Sequence, residues 1–197
     1  MKLEKNKLEG DIISLEPIGI EHLDELIEAA HDPSIWQWMT FALNVPEVAE
    51  LFVNNVATMP EKGLGLGFVI RCKKSNAIIG GTGYWHVDHI HQKLEVGGSW
   101  VTPNRQRSGA NAEAKYLMLM NAFENLGCKR VGFSIDTRNR RSLEAIARVG
   151  ATQEGVQRSD MTLHDGRDRD SAIFSIISPE WARIKKHLEK LLSKHAN

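Results

Sequence analysis

Hydrophobic positions recur along this chain with two periods, and the switches between them divide it into alternating strands and helices. Residues 11–15 form an apolar run that predicts an opening strand, and Leu23, Leu26, Ile27 and Ala30 then share one helical face. Pro46 is placed to begin a second helix carrying Val48, Leu51 and Phe52. Residues 67–71 and 77–87 read as strands on either side of a Lys73–Asn76 turn, and 93–101 reads as a third. A helix follows over about 110–126, closed by Gly127. Val131, Phe133 and Ile135 alternate as one buried face of a strand, while Leu143, Ile146 and Ala147 recur at helical spacing up to Gly150, a C-terminal cap. Residues 154–163 and 170–177 predict a hairpin turning at Asp165-Gly166. A final helix, about 179–194, carries a stripe of Trp181, Ile184, Leu188 and Leu191. Neither repeats nor low-complexity linkers interrupt this order. The pattern predicts one domain over 1–197, of mixed α/β class, with helices flanking a sheet.

Charge narrows the function classes. Lys plus Arg number 25 and Asp plus Glu number 25, so no net field draws the chain to nucleic acid or to a membrane surface. Basic residues cluster at 104–107, 138–141 and 167–169, which fits local anion binding. No apolar run reaches membrane-spanning length, and Cys72 and Cys128 lack metal-ligand spacing. With no secretion signal in view, the expectation is a cytoplasmic protein with reduced thiols. His86, His89 and His91 read as a solvated connection at the edge of a cleft, and no metal site is expected. Gly63-x-Gly-x-Gly67 precedes a strand, whereas a dinucleotide fingerprint follows one.

The chemistry concentrates after residue 100. Trp100-Val-Thr-Pro-Asn-Arg-Gln-Arg-Ser-Gly-Ala-Asn111 runs from a strand end through a short basic turn into a helix. Unpaired N–H groups at that helix start, with Arg105 and Arg107 nearby, make an anion site and imply a phosphorylated cofactor. The order Val101, Pro103, Gln106, Gly109 resembles the acetyl-CoA pyrophosphate signature of the GCN5-related N-acetyltransferases (GNAT). Asn111 departs from the Gly or Ala usual there, although Asn tolerates unusual backbone angles. Downstream, the strand at Val131–Ile135, Asn139-x-x-Ser142 and the helix up to Gly150 are similar to the second half of that cofactor site, in its RimJ/RimL-type form.

The resemblance implies a GNAT fold: a twisted, mostly antiparallel sheet flanked by helices, with a splayed central strand pair holding pantetheine. Gly97-Gly98 is a plausible bulge for that splay. It implies acetyl-CoA as cofactor, held by Trp100, Val101, Gln106, Arg107, Ser108, Gly109, Ala110, Asn111, Asn139 and Ser142. Glu95 falls where the family places a general base. The tyrosine acid common in the family is replaced here by Ile146, leaving Ser142 as the nearby hydroxyl. Trp36 and Trp38, beside Met39, and also Tyr84 are expected along the acceptor wall. The acceptor is an amine, either a protein N-terminus or a small molecule, and a homodimer is expected, with Trp181 either helping the contact or sealing the core. The competing reading is a non-catalytic acyl-CoA-binding or partner-binding domain of the same fold.

Overall fold

The computed structural model describes residues 1–193, so the last residue of the expected 179–194 helix lies outside the described part. Eight strands form a single sheet: β1 (Leu8–Glu9), β2 (Ile13–Pro17), β3 (Leu66–Cys72), β4 (Ile78–Asp88), β5 (Lys93–Val101), β6 (Arg130–Asp136), β7 (Thr152–Thr162) and β8 (Asp168–Ile177). Their spatial order is β1-β2-β3-β4-β5-β6-β8-β7. Every neighbouring pair is antiparallel except β5 with β6. A parallel pair needs a crossover, and α3 (Ala110–Met120) supplies it.

Two apolar layers cover the sheet. On one face, Ala114, Leu117 and Met118 of α3, with Trp181, Ile184 and Leu188 of α5 (Trp181–Leu192), pack on Phe68, Leu94, Val96, Val131 and Phe174. On the other, α1 (Leu23–Ala29) and α2 (Pro46–Thr58) bring Leu26, Val53 and Val56 against Val69, Ile78 and Trp100. The α2 stripe differs from the expected one. Ala49, Val53 and Val56 are buried, with Phe52 half-buried, while Val48 and Leu51 face outward. This helix carries apolar residues on both sides, and only the set at spacing 3, 4 and 7 meets the sheet.

After Met120 the third helix widens into a π turn over Asn121–Asn125, a local departure from the uniform helix the periodicity predicts. Glu113, buried within α3, accepts the backbone N–H groups of Asp11, Ile12 and Ile13 at 2.7, 3.0 and 2.8 Å. One carboxylate thereby fixes α3 to the start of β2. Trp181 stacks on Phe123 and donates to Glu124 at 2.7 Å; it seals the core. No described helix is long and apolar enough to cross a membrane.

Candidate functional site

The site begins where β5 and β6 part. They pair over three residues only, Lys93 with Arg130, Leu94 with Val131 and Glu95 with Gly132. Beyond Glu95, β5 carries an extra residue against β4, because Gly83 faces Gly97 while Gly81 faces Trp100. That bulge holds Gly98 at φ +58, a backbone state that a residue with a Cβ adopts only under strain. The inner edges of both strands are left without ladder partners and line a cleft of about 120 Å³. Backbone donors and acceptors facing a narrow, unfilled gap suit an extended chain bearing amides.

At the mouth of the fork, residues after Val101 fold as a short turn that delivers α3. Gly109 is the N-cap residue of α3, at φ +89, and offers no side-chain cap; the Ala110 N–H reaches Ser108 Oγ at 3.4 Å, while the Asn111 N–H has no partner among the described residues. Gln106 is held by Arg141 across the mouth (2.5 Å), and Arg107 takes a positive φ of its own. Ser108 Oγ donates to Arg105 O at 2.6 Å, fixing the turn. Gln106, Arg107, Ser108, Gly109, Ala110 and Asn111 thus form one continuous turn into α3, and Asn111 also lines the cleft. Trp100 and Val101 differ from the others: their side chains are buried on opposite faces of the sheet, Trp100 against Trp36 at 5.2 Å. Only their backbones are available to a ligand.

On the opposite wall, Asn139 caps α4 (Arg140–Val149), its Oδ1 accepting the Ser142 N–H at 3.1 Å. Its amide nitrogen donates to no described residue, so capping leaves that donor unused. The Ser142 hydroxyl is likewise unbonded among the described residues and faces the cleft, as does buried Ile146. Glu95 stands at the apex of the fork, half-buried, with its carboxylate 3.2 Å from His86 Nδ1. The three histidines do not converge: His89 bridges Met1 O and Gly63 O, while the backbone N–H of His91 donates to Asp88.

Two of the expected acceptor-wall residues are core residues instead. Tyr84 is fully enclosed on the α3 face, donating to Met118 O at 2.7 Å and accepting from Asn121. Trp36 is equally buried and donates to Ala30 O at 2.9 Å. Trp38 does line the cleft with Met39, its ring flanked by the guanidinium groups of Arg138 and Arg167.

Three features in or beside the cleft escaped the sequence reading. Lys115, one helical turn after Asn111, is buried with Ser99 Oγ as its partner at 2.5 Å, and burial pushes its ammonium down to about 8. Arg169 is buried at the start of β8, where burial lowers its affinity for the proton. The Trp85 Nε1–H lies against the bulge, buried and unpartnered among the described residues. Lys115 was in principle visible as a charge amid Ala114, Leu117 and Met118, at a position where the apolar spacing of α3 leaves no solvent side. Arg169 and Trp85 carry no such signal.

Comparison with known proteins agrees with this geometry. The family described as "Acetyltransferase (GNAT) domain" matches residues 13–152. The chain is 25% identical over 175 residues to YdaF of Bacillus subtilis (strain 168), provisionally named a ribosomal N-acetyltransferase, covering 85% of this chain and 90% of that protein. A GCN5-related N-acetyltransferase from Brucella melitensis superposes with a TM-score of 0.90 at 26% identity, over 98% of this chain and 87% of that one. Mycobacterium smegmatis RimJ, solved in complex with CoA-disulfide, shares the fold at a TM-score of 0.82 and 19% identity, over 95% of each chain.

Proposed function

The chain belongs to the acetyltransferase (GNAT) family, and from that membership we propose that it is an acetyl-CoA-dependent N-acetyltransferase acting on a primary amine by direct attack. The observation that carries this reading is the fork itself: a gap with unpaired strand edges, opening at one end onto the anion cradle of α3 and at the other onto Glu95. The residues present fit the cofactor. The N–H groups of Arg107, Gly109 and Asn111, which have no partner among the described residues, take the pyrophosphate, with the Arg107 side chain beside them. Asn139 and the Lys115–Ser99 pair offer polar groups to an amide-bearing chain lying in the gap. When bound, acetyl-CoA supplies an acetyl group activated as a thioester.

The protein's part is positioning and proton management. An amine attacks only when neutral, so Glu95 at the apex accepts the proton it must lose, directly or through water, while His86 steadies that carboxylate. Ser142, unbonded and facing the cleft, is the hydroxyl placed to protonate the departing sulfur, since Ile146 offers no acid. Holding amine and acyl carbon together contributes a large share of the acceleration. The likeness to YdaF supports a protein N-terminal amine among the acceptors.

Release of free thiol from acetyl-CoA, measured against a panel of small amines and N-terminal peptides, tests the proposal. Amine-dependent release is expected. Tight acetyl-CoA binding without release across the panel would favour a binding domain, a reading to which Ile146 lends weight.

A further inference from the structure

Arg169 is a buried cation without a carboxylate to balance it. It is 8% exposed, and its Nε and Nη2 donate to Ser171 Oγ at 3.0 Å and Ser134 Oγ at 2.8 Å. Both partners are neutral hydroxyls. Among the described residues, no carboxylate oxygen lies within 4.0 Å of its guanidinium nitrogens. Asp136 faces the same cleft but is closed by a two-point pair with Arg138, at 2.9 and 2.7 Å. Asp136, and after it Asp160 and Glu95, act on Arg169 only from beyond ion-pair distance. An arginine does not shed its charge, and a buried charge calls for an anion at short range.

The open valences of this guanidinium have a definite form. Arginine carries five N–H groups, and two are used here, which leaves both hydrogens of Nη1 and one of Nη2. That edge matches the two oxygens of a carboxylate. The wall around it is braced: Arg167 Nη2 donates to Gln37 O at 2.9 Å and the His164 N–H donates to Met39 O at 3.2 Å, tying the β7–β8 turn to the loop that carries Trp38. Arg138 and Arg167, at 5.4 and 5.5 Å from the Trp38 ring centroid, stand at the entrance but are already paired with Asp136 and Asp165, which leaves Arg169 as the unbalanced cation of the three.

Resting on the acetyltransferase reading, we infer that the acceptor carries a carboxylate a few bonds from its amine, taken by the free edge of Arg169 while the amine faces Glu95. This chemistry has two sources, the α-carboxylate of a free amino acid or the acidic side chain of a peptide's first residue. The subsite selects the substrate and takes no part in bond breaking.

Matched acceptor pairs test the inference: amino acids against their amides, and peptides beginning with Glu against the same peptides beginning with Gln. With acetyl-CoA saturating, the carboxylate member of one pair set should have a kcat/KM roughly ten- to hundredfold higher, the scale of a charge-assisted hydrogen bond. The set that shows it identifies the source. Arg169→Gln should abolish the preference mainly through KM, Arg169→Lys should keep part of it, and acetyl-CoA affinity by calorimetry should be unchanged in both. Turnover of amides as fast as acids by the unaltered protein would overturn the inference while leaving the transferase reading intact. If no amine is turned over, the transferase reading fails, and calorimetric titration of the same pairs decides the subsite. Acid binding that Arg169→Gln removes upholds it, and equal or absent binding overturns it.

Discussion

Lys115 is held in the cleft against the preference of an ammonium for water, with its pKa pushed by burial from 10.5 down to about 8. Its only side-chain bond among the described residues is to Ser99, whose hydroxyl also pairs with Thr82 at 2.7 Å. Because the folded chain holds this proton more weakly than the unfolded chain, the penalty is complete below pH 8. It is relieved between about 8 and 10.5, so that stability rises with pH across that window. At about 1.4 kcal/mol per pKa unit the penalty is about 3 kcal/mol. Lys115→Met should therefore raise the urea midpoint at pH 7, and the gain should shrink as pH approaches 10. A variant less stable than the parent at pH 7 would contradict this account of the residue. At the other end of the fork, Glu95→Gln should lower turnover about a hundredfold, the scale of a positioned base, while acetyl-CoA affinity holds. The deficit should narrow at high pH, where more of the amine arrives neutral. Equal turnover by the variant across the pH range would remove Glu95 as base and leave positioning as the main source of catalysis.

Among the elements, α3 bears the most consequence, since one end begins at the Gly109 turn proposed to hold the cofactor's phosphates and its body covers the sheet. Glu113 ties it to β2 through three backbone N–H groups. Glu113→Ala strands those donors and should cost about 2–4 kcal/mol, read as a lowered denaturant midpoint; an unchanged midpoint would show the clamp to be idle. The periodicity located α3, β5 and β8 closely, because each carries a buried apolar face, whereas β7, exposed along most of its length, was placed by the Asp165-Gly166 turn. It misjudged α2, where Val48 and Leu51 extend the apolar pattern onto a face that meets no neighbour. The bulge was legible in Gly97-Gly98 because few backbones other than glycine turn that way. Tyr84 and Trp36 misled for the opposite reason: aromatic type carries no information about which side of a strand or loop is closed by packing.

For the whole molecule, what the sequence could not express is convergence. The cradle, Asn139 and Ser142 were recognisable because each belongs to a contiguous strand–turn–helix motif. Arg169 reaches the same cleft from the far hairpin, through a strand order in which β8 lies beside β6. No local pattern records that neighbourhood. The central claim is that these segments together form one acetyl-CoA site, entered over the turn at Gly109. Calorimetric titration of acetyl-CoA into the parent chain and into Gly109→Val tests it most directly. At φ +89 a β-branched residue is strained, and its side chain obstructs close approach to the helix N-terminus. The account predicts saturable binding by the parent and at least about tenfold weaker binding by the variant, a loss of about 1.4 kcal/mol or more, with the variant's circular dichroism unchanged. Equal affinity in the two proteins would contradict it.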